Sequence, residues 1–133
     1  MYSSHLDSLI SQYKSFNLHE VLDYDRFNQY LIIHHSTSIE GSTLTEVETR
    51  LLLEEDITPK GKPLMHSLMV KDHYEALKFV LKSAQKKQVI TVEFIQQINA
   101  RVMRNTGSVY NTVLGEVDAS RGMFRKGNLR GEK

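Results

Sequence analysis

Cysteine is absent from the 133-residue sequence. Its absence excludes disulfide bonds, thiolate nucleophiles, and zinc or iron sites with cysteine ligands. It is also typical of an intracellular soluble protein, and we expect a cytoplasmic location. Long apolar runs are lacking as well, since the longest uninterrupted aliphatic stretches are Leu31–Ile33 and Leu51–Leu53. The sequence therefore predicts no membrane span, and the residues after Met1 do not have the pattern of a signal peptide.

An excess of charge of either sign is lacking too. Seventeen basic and 16 acidic residues leave a formal net charge of +1. Such a balance produces no overall field that would attract a polyanion, so we expect neither nucleic acid nor an anionic membrane as a partner. A chain of this length can bury a substantial core, which predicts one compact domain.

Proline is scarce, and both prolines, Pro59 and Pro63, fall in one short segment together with Gly61. Proline fixes φ and lacks a backbone donor, so this segment interrupts any helix. We therefore expect a linker here, which separates an N-terminal part, 1–58, from a second part, 64–133.

Capping residues predict two helices before the linker. Asp23 or Asp25 can cap the first, which we expect to run to about Ile39. Thr45 begins the second, because Thr45 and Glu48 have the spacing of a capping box. The residues that we expect to face inward on these two helices are Tyr24, Phe27, Leu31 and Ile39, with Tyr30 and Ile32 beside them, and then Val47, Leu51 and Leu52.

Two more helices are predicted after the linker. The longer one follows Pro63, and the shorter one begins at Thr91 and stops before Gly107. We expect Ile90 and Ile95 to pack together at the start of the shorter helix. Beyond it, five of the seven glycines interrupt the helical period. This composition predicts a loop and a short extended segment near Phe124.

The residues by themselves show no catalytic or metal-binding arrangement. Among the six histidines, His34 and His35 are adjacent and would point about 100° apart on a helix, while His66 and His73 lie two turns apart. No Gly-Lys-Ser or Gly-Lys-Thr occurs, so a phosphate loop of the Walker type is excluded. We therefore assign no catalytic residue and no metal ligand within this chain.

The segment from Ser36 to Gly41 has an unusual arrangement. Ser36 and Glu40 are four residues apart and share a face if the segment is helical, and Gly41 can end the helix in a left-handed turn. The helix dipole opposes a carboxylate at this end, which hints at a function for Glu40. An ordinary solvated glutamate at a helix end fits the same pattern.

The run Ser36-x-x-x-Glu40-Gly41 resembles the inhibitory-helix signature of the Fic family of protein adenylyltransferases. That signature is a serine or threonine, three variable residues, a glutamate, and then glycine or asparagine. Its continuation in many members resembles Leu44, Thr45 and Glu48 here. Three later segments are similar to parts of the family in the same order, namely 72–77, 90–102 and 121–128.

This resemblance implies an all-α fold, a helical bundle of the Fic (Fido) type with a short β-hairpin flap that begins near the C-terminus. It implies a reaction in which AMP is transferred from ATP, with magnesium, to a hydroxyl side chain of a protein substrate. Glu40 would be the autoinhibitory residue, which pairs with an arginine where the ATP γ-phosphate otherwise binds. Ser36 would help to fix the helix and Gly41 would end it. The implied flap residues, which align the substrate, are Gly122, Phe124 and Arg125.

One departure from the family is important. The catalytic loop of the family begins with histidine, whereas the last histidine here is His73, and the run 127–130 lacks a preceding histidine. We therefore expect this chain alone to bind neither ATP nor magnesium. It would be the N-terminal regulatory part of an adenylyltransferase, with 1–58 carrying the inhibitory helix and 64–133 the first part of the core. A stand-alone antitoxin-like module that inhibits a Fic partner, or a helical scaffold without nucleotide chemistry, are the alternatives.

The same departure bears on self-association. A Fic core without its later helices would leave apolar faces uncovered. We therefore expect self-association, as a homo-oligomer, or a marginally stable fold.

Overall fold

The structure, a computed structural model, describes residues 2–17 and 23–124. Within these residues five α-helices precede a two-stranded antiparallel sheet and a 3-10 turn. The elements in chain order are α1 (Tyr2–Ser15), α2 (Tyr24–Ile39), α3 (Glu46–Glu55), α4 (Leu64–Gln85), α5 (Val92–Val102), β1 (Val109–Thr112), β2 (Gly115–Asp118) and the 3-10 turn Ala119–Arg121. The predicted helical bundle with a short hairpin near the C-terminus is confirmed.

Three helices begin at the residues that the sequence indicated. The side chain of Asp23 accepts a hydrogen bond from the Arg26 N–H at 3.0 Å, which caps α2. Thr45 caps α3 and Thr91 caps α5 in the same way. A cap of this kind stabilises a helix by about 1 kcal/mol, because it satisfies an amide that has no partner inside the helix.

The hydrophobic core lies where α2, α3 and α4 meet. Its fully buried members are Ile33 of α2, Leu44 between α2 and α3, Leu52 of α3 and Val70 of α4. The side chains that pack against them from partly buried positions are Leu53, Tyr74 and Leu77. Core residues therefore come from both sides of the proline-containing linker.

The inward face predicted for α2 is wrong in part. The residues that α2 buries are Tyr30, Ile33 and Thr37, whereas Phe27 is 53% exposed and Ile39 is 84% exposed. Apolar residues occur on more than one side of this helix, so their spacing does not select the side that packs. Contact with α3 and α4 makes that selection.

A similar correction applies to α3 and α5. Thr49 and Leu52 are buried on α3, whereas Val47 faces solvent. Ile90 and Ile95 are both exposed, and the packing predicted between them does not cover either side chain. The start of α5 instead packs on α4 through an aromatic pair, Phe79 and Phe94, with ring centroids 5.6 Å apart.

The hairpin lies earlier in the chain than the extended segment predicted near Phe124. Val109 pairs with Asp118 and Thr112 pairs with Gly115, which leaves a two-residue turn. The 3-10 turn then leads to Gly122 in the left-handed region, with φ of +73°. Glycines in this part of the sequence predicted a loop, but one of them belongs to the hairpin: Gly115, the first residue of β2 after the turn, has φ of +125°.

Helix α1 makes few contacts with the rest of the described chain. Its side chains from residue 3 onward are exposed, including the apolar Leu6, Leu9 and Ile10. A hydrogen bond from the Tyr13 hydroxyl to the Tyr24 hydroxyl, at 3.4 Å, connects it to α2. None of the described helices combines the length and the apolar character that a transmembrane segment requires.

Candidate functional site

The end of α2 has the geometry that the sequence indicated for Gly41. The Gly41 N–H donates to the Ser38 carbonyl at 3.1 Å, and the Ser42 N–H donates to the Thr37 carbonyl at 2.9 Å. Gly41 itself has φ of +104°. These two hydrogen bonds and one left-handed residue define a Schellman motif, which satisfies carbonyl groups that the helix leaves unpaired. Gly41 therefore ends α2.

Glu40 is the last residue before this turn, and its side chain is exposed. None of the ion pairs between described residues involves Glu40. The carboxylate lies at the end of α2 where the helix dipole is negative, so a cation there would be stabilised and a lone anion is not. Glu40 is thus free to accept a cation from outside the described residues.

Ser36 lies one turn before Glu40 on α2 and is partly buried. Its hydroxyl has no hydrogen-bond partner among the described residues. The hydroxyls of the next two residues, Thr37 and Ser38, each donate to a backbone carbonyl of α2. Thr37 donates to the Ile33 carbonyl at 2.8 Å and is almost fully buried. Thr37 is thus buried at this helix end, with its hydroxyl bond inside α2 itself. The role expected of Ser36 stays a prediction.

The segment between α2 and α3 is held firmly. Ser42 and Leu44 are buried. Thr43 between them is exposed, but side chains from the start of α4 and from the linker bind it. His66 Nδ1 lies 3.2 Å from the Thr43 N and 2.9 Å from its hydroxyl oxygen, and the Lys62 ammonium donates to the Thr43 carbonyl at 2.7 Å.

Sequence reasoning missed Lys62 and His66. They lie 19 and 23 residues beyond Thr43. Neither residue belongs to a local pattern that would connect it to the end of α2. Only the packing of α4 against α2 and α3 brings them to this segment, so no signal in the sequence alone could have identified them.

Gly122 and Phe124, two of the residues predicted for the flap, lie away from the end of α2. Gly122 is buried against α5, where an added Cβ would lie only 2.1 Å from the Gln96 carbonyl oxygen. Phe124 is 43% exposed and lines a depression of about 360 Å³ with Tyr110 and other residues. Arg125 lies outside the described residues. Gly122 thus packs closely against α5, and the flap function expected of Gly122 and Phe124 stays a prediction.

A second, more polar cleft lies between α3, α4 and the turn after α5, with a volume of about 340 Å³. The buried Asp72 lines it and accepts hydrogen bonds from the Asn105 N–H and side-chain amide, at 2.7 and 2.6 Å. The Lys71 ammonium, 2.8 Å from Asp56, donates to that carboxylate and holds its pKa below the usual range. These charges already have partners, so the cleft has a structural explanation.

No group of three or more potential metal-ligating side chains occurs in the part of the chain that the structure describes. Of the predicted residues, Ser36, Glu40 and Gly41 share one helix end. Gly122 and Phe124 lie against α5 and the hairpin. The helix end therefore carries an exposed carboxylate on a backbone that hydrogen bonds fix, which suits binding of a guanidinium or ammonium group.

Comparisons with known proteins identify similar sequences and a similar fold. The chain is 38% identical over 72 residues to the protein adenylyltransferase Fic of Nematostella vectensis, and the match covers 53% of this chain and 17% of that protein. It is 34% identical over 71 residues to the protein adenylyltransferase Fic of Drosophila erecta, with 53% and 14% covered. No protein-family model matches the sequence.

A solved structure is similar over more of the chain. The crystal structure of a Fic-domain-containing signaling protein from Bacteroides thetaiotaomicron aligns with a TM-score of 0.57 at 25% identity. This alignment covers 82% of the present chain and 46% of that one. The chain thus spans less than a fifth of the two curated relatives and under half of the solved structure.

Proposed function

We infer, because the chain is a Fic-family protein by sequence and by fold, that it is the N-terminal regulatory part of a protein adenylyltransferase. The proposed reaction transfers AMP from ATP to a hydroxyl side chain of a target protein. Glu40 is the proposed autoinhibitory residue. A cytoplasmic location is part of the same proposal.

The observation that carries the proposal is the state of Glu40. Its carboxylate is exposed, unpaired among the described residues, and attached to a helix end with fixed geometry. A guanidinium group binds a carboxylate and a phosphate through the same fork of donors. An arginine that pairs with Glu40 is therefore unavailable to the γ-phosphate of ATP, and nucleotide binding in a reactive position is prevented.

Two motifs for ATP and magnesium are absent from the sequence. It has no phosphate loop of the Walker type, and after His73 it has no histidine that could begin the catalytic loop of the family. We therefore assign the nucleotide and magnesium to parts of the full-length protein outside this chain. Within it, Ser36 and Gly41 would position Glu40, while Gly122, Phe124 and Arg125 would align the target.

The test is replacement of Glu40 in the full-length protein. Glu40→Gly should raise self-adenylylation, because the arginine is released to bind ATP. A hydrogen bond to a charged group contributes about 1.5–3 kcal/mol, so an increase of roughly tenfold or more is expected. The measurement is incorporation of AMP from ATP labelled at the α-phosphate.

Glu55→Gly is the matched control, since Glu55 is also an exposed glutamate at the end of a helix. It should leave incorporation unchanged. Unchanged incorporation in Glu40→Gly as well would contradict the inhibitory role. An effect of Glu40 that appears only when this chain is added to a separate Fic enzyme would instead identify an inhibitory module that acts on a partner.

A further inference from the structure

The segment that follows Glu40 is tied to the start of α4. We propose that His66 and Lys62 are positioning residues, which hold Thr43 and thereby keep Glu40 at the angle required for inhibition. This inference rests on the proposed inhibitory role of Glu40. It adds two residues that determine how strongly Glu40 inhibits.

The amide, the hydroxyl and the carbonyl of Thr43 all contact side chains. Its N–H donates to His66 Nδ1 at 3.2 Å, and its hydroxyl oxygen lies 2.9 Å from the same nitrogen. Its carbonyl accepts from the Lys62 ammonium at 2.7 Å. Every polar group of this exposed residue is therefore bound by a side chain from beyond α3.

The neighbouring amides differ from that of Thr43. Those of Gly41 and Ser42 donate back to carbonyls of α2, and that of Leu44 donates to the Ser42 hydroxyl at 3.4 Å. Among residues 41–44, Thr43 is thus the one whose amide is held by another part of the fold. These bonds connect the segment after α2 to the linker through Lys62 and to the start of α4 through His66.

The bond from the Thr43 N–H requires an acceptor at this position of His66. Nδ1 accepts from an N–H in the tautomer that carries its hydrogen on Nε2. The side-chain oxygen of asparagine can occupy about the position of Nδ1, whereas glutamine extends to about the position of Nε2. His66→Asn can therefore keep the acceptor and His66→Gln removes it, with little difference in polarity between the two.

Lys62 is held by a second contact. Its ammonium lies 3.8 Å from Glu48 Oε2, and both side chains are about one quarter exposed, at 27% each. Among the described residues, this carboxylate oxygen has no hydrogen-bond partner. Glu48 therefore keeps the ammonium near the Thr43 carbonyl, and Lys62→Met removes the donor while it keeps most of the aliphatic chain.

Loss of either contact should weaken the inhibition by Glu40. Pairing with an arginine depends on the direction and distance of the carboxylate, and a functional group acts best when neighbouring bonds fix its position. A net contribution of about 0.5–1.5 kcal/mol for each hydrogen bond corresponds to a change of about two- to tenfold. The effect should be smaller than that of removing Glu40 itself.

The experiment uses the full-length protein with two measurements. Hydrogen exchange at the Thr43 amide reports the tether, and labelled AMP incorporation reports the inhibition. His66→Gln and Lys62→Met should each accelerate exchange and raise incorporation, with a lower KM for ATP and little change in kcat. His66→Asn should stay close to the unmodified protein, and His5→Gln, on the exposed α1, is the control for the substitution.

A double variant decides whether the tether acts through Glu40. Addition of His66→Gln to Glu40→Gly should give no further rise in incorporation, because the residue that it positions is gone. If Glu40→Gly raises incorporation while His66→Gln and Lys62→Met do not, the positioning role is wrong and the proposed function remains. If Glu40→Gly has no effect, the proposed function fails, and the positioning role fails with it.

Discussion

At the scale of single residues, two glycines with positive φ have different surroundings. Gly41 has φ of +104° and no atom within 4 Å of an added Cβ. Gly122 has φ of +73°, and an added Cβ would lie 2.1 Å from the Gln96 carbonyl oxygen. A residue with a side chain would strain the backbone at either position. Only at Gly122 would its Cβ also collide with the backbone of α5.

This difference predicts unequal costs for one substitution. Gly41→Ala should lower the free energy of unfolding by about 1 kcal/mol, from the left-handed conformation alone. Gly122→Ala should cost at least about 2 kcal/mol, because α5 must move as well. Urea unfolding followed by circular dichroism measures both. Equal losses in the free energy of unfolding would show that the close approach of Gly122 to α5 adds nothing to the cost of Gly122→Ala.

The contacts of His66 and Glu48 show that a residue type alone does not identify its partner in the fold. No pattern in the sequence gives His66 a partner, yet its Nδ1 binds the segment after Glu40. Glu48 suggests a reciprocal capping box, yet its carboxylate lies near Lys62. In both cases the partner comes from a distant part of the chain.

At the scale of elements, the ends of α2 and α4 use the same hydrogen bonds with different residues. At the end of α4 the Lys87 N–H donates to the Ala84 carbonyl at 3.0 Å, and the Gln88 N–H donates to the Ser83 carbonyl at 3.1 Å. Lys87 has φ of +55° and occupies the position that Gly41 has after α2. A side chain in this conformation is strained, whereas glycine is not.

Lys87→Gly should therefore stabilise the protein. The gain should be about 0.5–1 kcal/mol, since relief of strain exceeds the added flexibility of the unfolded chain. Thermal unfolding would show it as a higher midpoint. Lys86→Gly is the control, because Lys86 has φ of −85° and should lose stability. A loss of stability in Lys87→Gly as well would argue against the left-handed turn at the end of α4.

At the scale of the whole molecule, the hydrophobic core is small and lies where α2, α3 and α4 meet. It consists of a few side chains from α2, α3, α4 and the segment between α2 and α3. Many large apolar residues of the described chain are exposed, including several on α1. Exposed apolar surface of this extent favours association, so a homo-oligomer stays a prediction.

A core this small makes single truncations costly. Leu52 is 1% exposed and contributes to the core, whereas Leu81 on α4 is 39% exposed. Leu52→Ala should lower the free energy of unfolding by about 2–5 kcal/mol, a large part of the 5–15 kcal/mol typical of a domain. Leu81→Ala should cost under about 1 kcal/mol. Denaturant midpoints test the pair, and similar shifts would mean that the core lies elsewhere.

The sequence by itself determined the helix starts at Thr45 and Thr91, limited the start of α2 to Asp23 or Asp25, and determined the end of α2 at Gly41 and the resemblance to the Fic family. Caps and turns depend on hydrogen bonds between residues a few positions apart, so a short segment contains the information. The tertiary structure alone decided which faces of α2 and α3 are buried and which side chains hold Thr43. Those outcomes depend on contacts between residues far apart in the chain, whose partners no local pattern specifies.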